Sequence, residues 1–410
     1  MRTFPLALIL VFALSASSLL GQAPSTATKP KPTVTGRLET VEGMQVLTLW
    51  GTLKQRSFAE GYLMAEAIDD LVDNFMLSRR VSFGSPKAWD LLVRPAVLGR
   101  FRFSEDDRIH ARGVVAGMKA RDPASIRIEA LGRDLQPKDL LVASCIPDMV
   151  GLFCSSFVAW GKETQGDTLL FGRNLDYFAT KALTQRTMII VRAPRGERRG
   201  WVSLGWPGIR GCVTGFSDAG VGLAIHDVMV KGKKERGERF TSRILALQEL
   251  IETLDSDPEI RSTAVRQLDA LRFALGGNGM LAWAGKEASG AVVLEFDGQK
   301  GRETRCTDRE PVQGEPFVLC SNHHRLRSEK GHGCRRYARI RSFLETTKAP
   351  MDFEAGWKAI GEGTVGGTLY RVLADLRSGR MEVDRRLQPR GPFAPRVHVN
   401  LRRLMERAHP

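Results

Sequence analysis

The sequence predicts an α+β fold: two packed antiparallel sheets with helices outside, preceded by a mainly helical N-terminal segment. Three observations predict it. Before residue 150, apolar residues recur mostly at helical spacing. After Cys154, short alternating apolar runs follow one another, bounded by Gly, Pro or polar clusters. Two helical stretches interrupt those runs, and further strands resume behind them. With 410 residues and 42% hydrophobic content, the chain can bury one large core or two medium ones. The change of texture near residue 150 marks a boundary between a segment 37–153 and a domain 154–410.

In chain order, residues 1–23 have the pattern of a signal peptide. Arg2 is the charged start, Phe4 to Leu14 the apolar stretch, and Gly21-Gln22-Ala23 the cleavage site. That stretch is too short to span a bilayer, and no later run is long enough. The expectation is a secreted or periplasmic protein with no integral membrane segment. Residues 24–36, rich in Pro, Thr and Lys, are expected to be a disordered leader.

Arg37 to Thr52 alternates around Glu42-Gly43 and predicts a strand pair. Gln55 to Arg80 predicts a helix, with Gly61 and Ala65 spaced for close helix packing. Ser104 caps a helix towards Arg121, and Pro137 opens another towards Val150. Strands are expected at Phe157–Gly161, Thr168–Arg173, Arg186–Ala193, Gly200–Leu204, Cys212–Phe216 and Gly222–Asp227. Helices follow at Thr241–Leu254 and Pro258–Leu275. Strands resume at Met280–Ala284, Ala291–Phe296 and Pro316–Ser321. A basic helix from Cys334 to Thr347 and a strand pair within Thr368–Asp384 complete the pattern.

The formal net charge is +15; Arg2 leaves with the signal segment, so +14 remains. The basic residues are scattered and no nucleic-acid motif accompanies them, so a basic soluble protein is expected rather than a nucleic-acid binder. Six cysteines are too sparse to organise a chain this long. Cys320 and Cys334 are spaced to bridge a loop.

One stretch carries chemistry. Phe153-Cys154-Ser155-Ser156-Phe157-Val158-Ala159-Trp160-Gly161 and Leu169-Leu170-Phe171-Gly172-Arg173-Asn174-Leu175-Asp176-Tyr177 are two strands joined by the polar turn Lys162–Asp167. The turn brings Cys154, Arg173 and Asp176 to one end of a hairpin. A lone strand cysteine is usually inert packing. A cation beside it favours the reactive thiolate. If the chain is cut between Phe153 and Cys154, the freed α-amine, with a pKa of about 8, can serve as base near neutral pH.

The run Cys-Ser-Ser-Phe-x-Ala-Trp-Gly followed by Gly-Arg-Asn-Leu-Asp resembles the cysteine N-terminal-nucleophile hydrolases of the acyl-coenzyme A:6-aminopenicillanic acid acyltransferase family. Choloylglycine hydrolases, penicillin V acylases and acid ceramidases are more distant kin. The likeness is strongest from Cys154 to Tyr177 and continues, in order, at Trp206–Ala224, Leu319–His323 and Gly367–Asp384. It implies a four-layer αββα sandwich and a precursor that cuts itself before Cys154, its two fragments staying associated. It also implies attack of the Cys154 thiolate on a linear amide of a small acyl-amide substrate, with no cofactor. Arg173 is implied beside the thiol and Asp176 on the α-amine. Phe153 stands where the acyltransferase has Gly.

Cys320-Ser321-Asn322-His323-His324 resembles the family's Asn-His segment, making Asn322 the main oxyanion donor and His323 a secondary candidate. In the Gly-rich strand and turn, Ser217 stands where choloylglycine hydrolases have an oxyanion Asn. Ser217 and His226 are therefore further candidates, as is Asn174, which can also cap the turn. Arg335-Arg336-Tyr337-Ala338-Arg339 resembles the family's Arg-Tyr helix, whose arginines face an acidic substrate group or solvent. A competing reading makes Cys320, His323, His324, His332 and Cys334 metal ligands, but their spacing is not that of a zinc module and no metal is expected. Two alternatives to the amidase stand: a phospholipase B-like or lipid-amide hydrolase on the same scaffold, and a non-catalytic secreted binding protein that retains it.

Overall fold

The computed structural model describes residues 32–232, 237–286, 289–297, 302–306, 317–326, 333–347 and 350–408. The stretch expected to be a signal peptide, residues 1–23, and most of the expected leader lie outside them. Glu42 and Gly43, both at positive φ, fold strand β1 (Gly36–Val41) onto β2 (Met44–Gly51), the backbone a two-residue hairpin turn demands. Thr52 and Gln55 form a capping box that starts α1 (Leu53–Leu71). Short helices α2 (Pro86–Ala88) and α3 (Arg94–Arg100) follow, then α4 (Glu105–Arg121), capped by Ser104 and Asp107.

Helices α1 and α4 touch backbone to backbone. A Cβ on Gly61 would lie 2.0 Å from the Val114 carbonyl oxygen, and one on Gly117 2.1 Å from that of Phe58. The small residues of α1 thus form a helix seam. A minor hairpin, β3 (Arg127–Ile128) and β4 (Arg133–Asp134), leads to α5 (Pro137–Ala143) and α6 (Pro147–Val150). The single helix expected over 137–150 is therefore broken at Ser144–Ile146, just ahead of the site.

The chain continues through β5 (Phe153–Ala159), β6 (Leu170–Asp176), α7 (Lys181–Arg186), β7 (Met188–Pro194), β8 (Trp201–Gly205), β9 (Thr214–Ser217) and β10 (Val221–Lys231). Next come α8 (Arg243–Thr253), α9 (Ile260–Asp269), β11 (Leu275–Ala284), β12 (Ser289–Phe296), β13 (Arg302–Cys306) and β14 (Phe317–Cys320). The last elements are α10 (Arg335–Thr346), α11 (Phe353–Gly363), β15 (Thr368–Asp375), β16 (Arg380–Arg385), β17 (Val397–Asn400) and α12 (Leu401–Glu406). Helix α11 and β17 have no counterpart in the sequence reading. Among the described residues no helix is long and apolar enough to cross a membrane.

Among the described residues two large sheets form. One runs β1-β2-β7-β8-β9-β10-β11-β12-β13, the other β14-β5-β6-β15-β16-β17. Every pairing in them is antiparallel except β2 with β7. They face each other: Phe171 of β6 meets Phe216 of β9 edge-on at 5.5 Å, and the Tyr370 hydroxyl of β15 lies 2.8 Å from Thr214 of β9. Helices α10 and α11 cover the far face of the six-stranded sheet through Tyr337, Ile340, Trp357 and Ile360. Helices α1 and α8 pack on the nine-stranded sheet. The order helix, sheet, sheet, helix is an αββα sandwich.

The texture change near residue 150 does not separate two compact units. Residues Val34–Pro410 form one, because β1 and β2 extend the sheet begun by β7. The physical reason is the edge of β7: β2 satisfies a row of backbone groups that would otherwise be open.

Candidate active site

Strand alternation decides what reaches the site. On β5, Cys154 and Ser156 point between the sheets, while Ser155 and Phe157 point towards α11. On β6, Arg173 points between the sheets and Asn174 the other way. Register places Cys154 opposite Leu175 and Ser156 opposite Arg173. The Arg173 guanidinium reaches back one rung, its Nη2 3.2 Å from Cys154 Sγ and donating to the Ile225 carbonyl at 2.8 Å. Its Nη1 lies 3.3 Å from His226 Nε2, which is 2.8 Å from Ser156 Oγ. His226 thus supports the guanidinium from β10.

The Cys154 thiol is wholly buried. Burial pushes it up to about 11; Arg173 pulls it down, while Asp176 and Asp227 add to the rise. The expectation that the cation would leave a depressed thiol is corrected: desolvation outweighs a single guanidinium. In this uncut chain the thiol is neutral at pH 7.

Asn322 spans the bond of interest. Its Oδ1 accepts the Cys154 backbone N–H at 2.5 Å and Arg336 Nη2 at 2.9 Å. Its Nδ2 donates to the carbonyls of Leu152 at 2.7 Å and Asp227 at 2.9 Å. Two donors and two acceptors fix the orientation of the amide. Both N–H groups are thus spent on backbone carbonyls. In the uncut chain Asn322 braces the peptide on either side of Phe153 instead of pointing at a free oxyanion position.

Asp176 lies across the ladder from Phe153. Its carboxylate accepts from Arg336 Nη1 and from Thr368 Oγ1, each at 2.5 Å, and not from Cys154. Burial raises its pKa, with Arg336, Thr368 and Arg173 opposing. Arg336, on the first turn of α10, therefore meets carboxylate and amide groups of its own chain and ties Asp176 to Asn322.

Three sequence candidates lie elsewhere. Asn174 faces α11, its Nδ2 bonded to the Ile360 carbonyl at 2.9 Å and to Ser155 at 3.2 Å; it fastens a helix to the sheet. Ser217 shares the Trp201 rung and takes the Val221 N–H at the β9–β10 turn. Trp201 Nε1 bonds Glu252 of α8, so that rung faces the outer helices, away from Cys154. The His323 ring bonds Ser321 Oγ at 3.0 Å and packs edge-on against Tyr337 at 5.7 Å. Cys320 and Cys334 are not joined by a disulfide, so the expected bridge is absent. Of the alternative ligand cluster, His332 lies outside the described residues, and His324 Nε2 lies 3.4 Å from the Gly277 carbonyl.

Sequence reasoning missed an ionic clamp behind Phe153. Arg243 on α8 is buried between two buried carboxylates, Asp148 at 2.8 Å and Asp227 at 3.0 Å. It also donates to the carbonyls of Gly276 and Pro147. Asp227 accepts the Leu152 N–H. Burial raises the Asp227 carboxyl to about 6 despite Arg243. The signal was present: Asp227 interrupts the apolar run of β10, and a buried charge in such a run needs a partner.

No family model matches the chain, and no curated protein matches it. Solved structures similar to it include a Caenorhabditis elegans N-acylethanolamine-hydrolyzing acid amidase ortholog, at 16% identity and TM-score 0.41, covering 54% of this chain and 93% of that one. Another is a mutant conjugated bile acid hydrolase from Clostridium perfringens, at 11% identity and TM-score 0.43, covering 62% and 94%. A third is penicillin V acylase from Agrobacterium tumefaciens, at 13% identity and TM-score 0.44, covering 62% and 87%.

Proposed function

We propose that this chain is the precursor of a cysteine amidohydrolase that cuts itself between Phe153 and Cys154, and that residues 1–23 direct its export. The observation that carries this reading is the thiol of Cys154 held by Arg173 while Asn322 grips the backbone on both sides of Phe153. In the cut, Cys154 Sγ bonds to the Phe153 carbonyl carbon and the peptide C–N bond breaks. The departing nitrogen takes the thiol proton. Water then hydrolyses the thioester, leaving a Phe153 carboxylate and a free Cys154 α-amine. That amine, with a pKa of about 8, takes the thiol proton when an amide substrate is attacked. The leaving amine receives it, and water or a second amine releases the acyl group. Asp176 sits across the ladder from Phe153, where a new ammonium would need a counter-charge.

Intact mass and N-terminal sequencing of the purified protein test this. The expected result is a fragment beginning at Cys154 that copurifies with residues 24–153. A single uncut chain after prolonged incubation would sink the self-cutting precursor. The burial and neutrality of the thiol would then favour the second reading, a binding protein that retains the scaffold.

Replacing Asn322 by Ala removes the brace at both neighbouring peptides. The cut is expected to slow by about 10²-fold, the loss that a small misplacement of the reacting groups can cause. A time course of intact mass reads it directly; cutting at the wild-type rate would remove Asn322 from the mechanism.

A further inference from the structure

Arg173 is a wholly buried cation, and among the described residues its hydrogen bonds all go to uncharged groups. Nη2 serves Cys154 Sγ and the Ile225 carbonyl. Nη1 serves His226 Nε2 at 3.3 Å and Ser156 Oγ at 3.5 Å. Its Nε has no partner among the described residues, so the two Nη ends alone fix the plane of the fork. Asp176 feels the charge but spends its oxygens on Arg336 and Thr368. His226, also wholly buried, stands opposite Asn278 in the β10–β11 ladder, its Nδ1 3.3 Å from the Asn278 carbonyl. A carbonyl only accepts and a guanidinium only donates. One form of the ring meets both contacts: the neutral imidazole with its proton on Nδ1 and its lone pair on Nε2. Ser156 Oγ, 2.8 Å from Nε2, then donates to the same lone pair. A serine and a histidine at that distance have the spacing of a nucleophile and its base. Here the base is disabled. An imidazolium would lie 3.3 Å from a buried guanidinium, and like charges so placed oppose each other strongly.

We propose that His226 is the positioning residue for Arg173: its neutral imidazole, oriented by the Asn278 carbonyl, accepts from Nη1 and so keeps Nη2 on the Cys154 sulfur. This role takes from the hydrolase reading only that the thiol is the nucleophile; the hold of His226 on Arg173 stands apart from it. Without that acceptor Nη1 loses its nearer anchor, and the fork is free to swing about Cδ–Nε, away from sulfur. The thiol then loses the neighbour that opposes the effect of burial. The same form of the ring turns its one N–H to Asn278, so His226 is not an oxyanion donor.

The first measurement is made on Cys154→Ala with isotope-labelled histidine. The His226 resonances are identified by their loss in Cys154→Ala/His226→Gln. At neutral pH they should show a proton on Nδ1 and none on Nε2; a protonated Nε2 overturns the proposal. Self-cutting is then followed in the wild type, His226→Leu, His226→Gln, Arg173→Gln and Arg173→Gln/His226→Leu. Losing a hydrogen bond to a charged group should slow the cut of the Leu variant about 10- to 100-fold. Its rise with pH should move to higher pH, as in Arg173→Gln. The Gln variant, whose amide oxygen can stand in for Nε2, should recover most of the rate. On the Arg173→Gln background the Leu change should cost almost nothing further, since both act on one contact. A His226 that served packing alone would lower stability in urea, leave the pH profile in place and add its loss to that of Arg173→Gln. That outcome overturns the proposal, as does a Gln variant as slow as Leu. Additivity decides where the wild-type rate is flat with pH. Where the Leu variant does not fold, His226→Asn replaces it, because its amide reaches the Nδ1 position and stops short of Arg173. A wild type that does not cut sinks the hydrolase reading and leaves this one testable. The ionisation of Cys154, read from cysteine labelled at Cβ, should then lie higher in the Leu variant than in the wild type or the Gln variant. No difference overturns the proposal.

Discussion

Cys154→Ala is expected to yield one chain of full mature length, with amide turnover reduced by at least about 10⁴-fold. The side chain is fully buried and its neighbours are polar, so alanine removes the reacting atom while leaving the two-strand ladder intact. Intact mass, a thiol-reactive probe on denatured protein and a steady-state assay together check it. Residual self-cutting in this variant would mean that another group breaks the Phe153 peptide. The pH dependence has a definite sign. Because burial places the thiol at about 11 in the uncut chain, the neutral form prevails at pH 7. If thiolate is the attacking form, the rate of the cut rises with pH, by about tenfold per unit while pH stays well below that value. Removing the cation, as in Arg173→Gln, lifts the thiol further and moves the same rise to higher pH. A rate that is flat from pH 6 to 9 would show that the thiol is deprotonated within the attack itself.

The second large effect is on stability. Arg243→Met leaves Asp148 and Asp227 facing each other, buried, without their cation. Breaking a buried pair by removing one partner costs about 3–5 kcal/mol, and urea unfolding should show a loss of that order. The carboxyl of Asp227 is already raised, and losing Arg243 raises it further. A group with a raised folded-state pKa holds its proton more tightly when folded, so protonation relieves the repulsion. The deficit should therefore be larger at pH 8 than at pH 5. A deficit independent of pH would mean that packing around the Arg243 stem, and not charge, is what was lost. Adding Asp148→Asn should recover part of it.

Much of this was legible in the chain. Alternation and turn residues located the hairpin that carries Cys154, and the same alternation implies that Arg173 shares its face. Ser104 and the Gly61 seam were readable because caps and close helix contacts require particular small or polar residues. What was not legible is long-range partnership. Asn174 and Ser217 have suitable side chains but lie on the wrong faces, and for Ser217 the face is set by a sheet whose order no local pattern reveals. Asp176 was placed on a future ammonium, yet in the uncut chain it is held by Arg336, 160 positions away. The thiol's ionisation depends on how completely two sheets exclude water, a quantity that no motif contains. Residues 150–153 show why the clamp went unseen: its cation comes from a helix residue 95 positions after Asp148.

The spacing of these partners also orders events during synthesis. Strand β2 leaves the ribosome well before β7, which it must join in parallel. Cys154 emerges 168 residues before Asn322, whose amide grips its nitrogen, and Arg336 comes later still. Nearly the whole chain must be made before the bond at Phe153 is held for breaking. Under the proposed self-cutting, a precursor built this way would be protected from premature scission by its own topology: while the two halves could still drift apart, the tether between them would stay covalent, becoming dispensable only when both halves share a sheet.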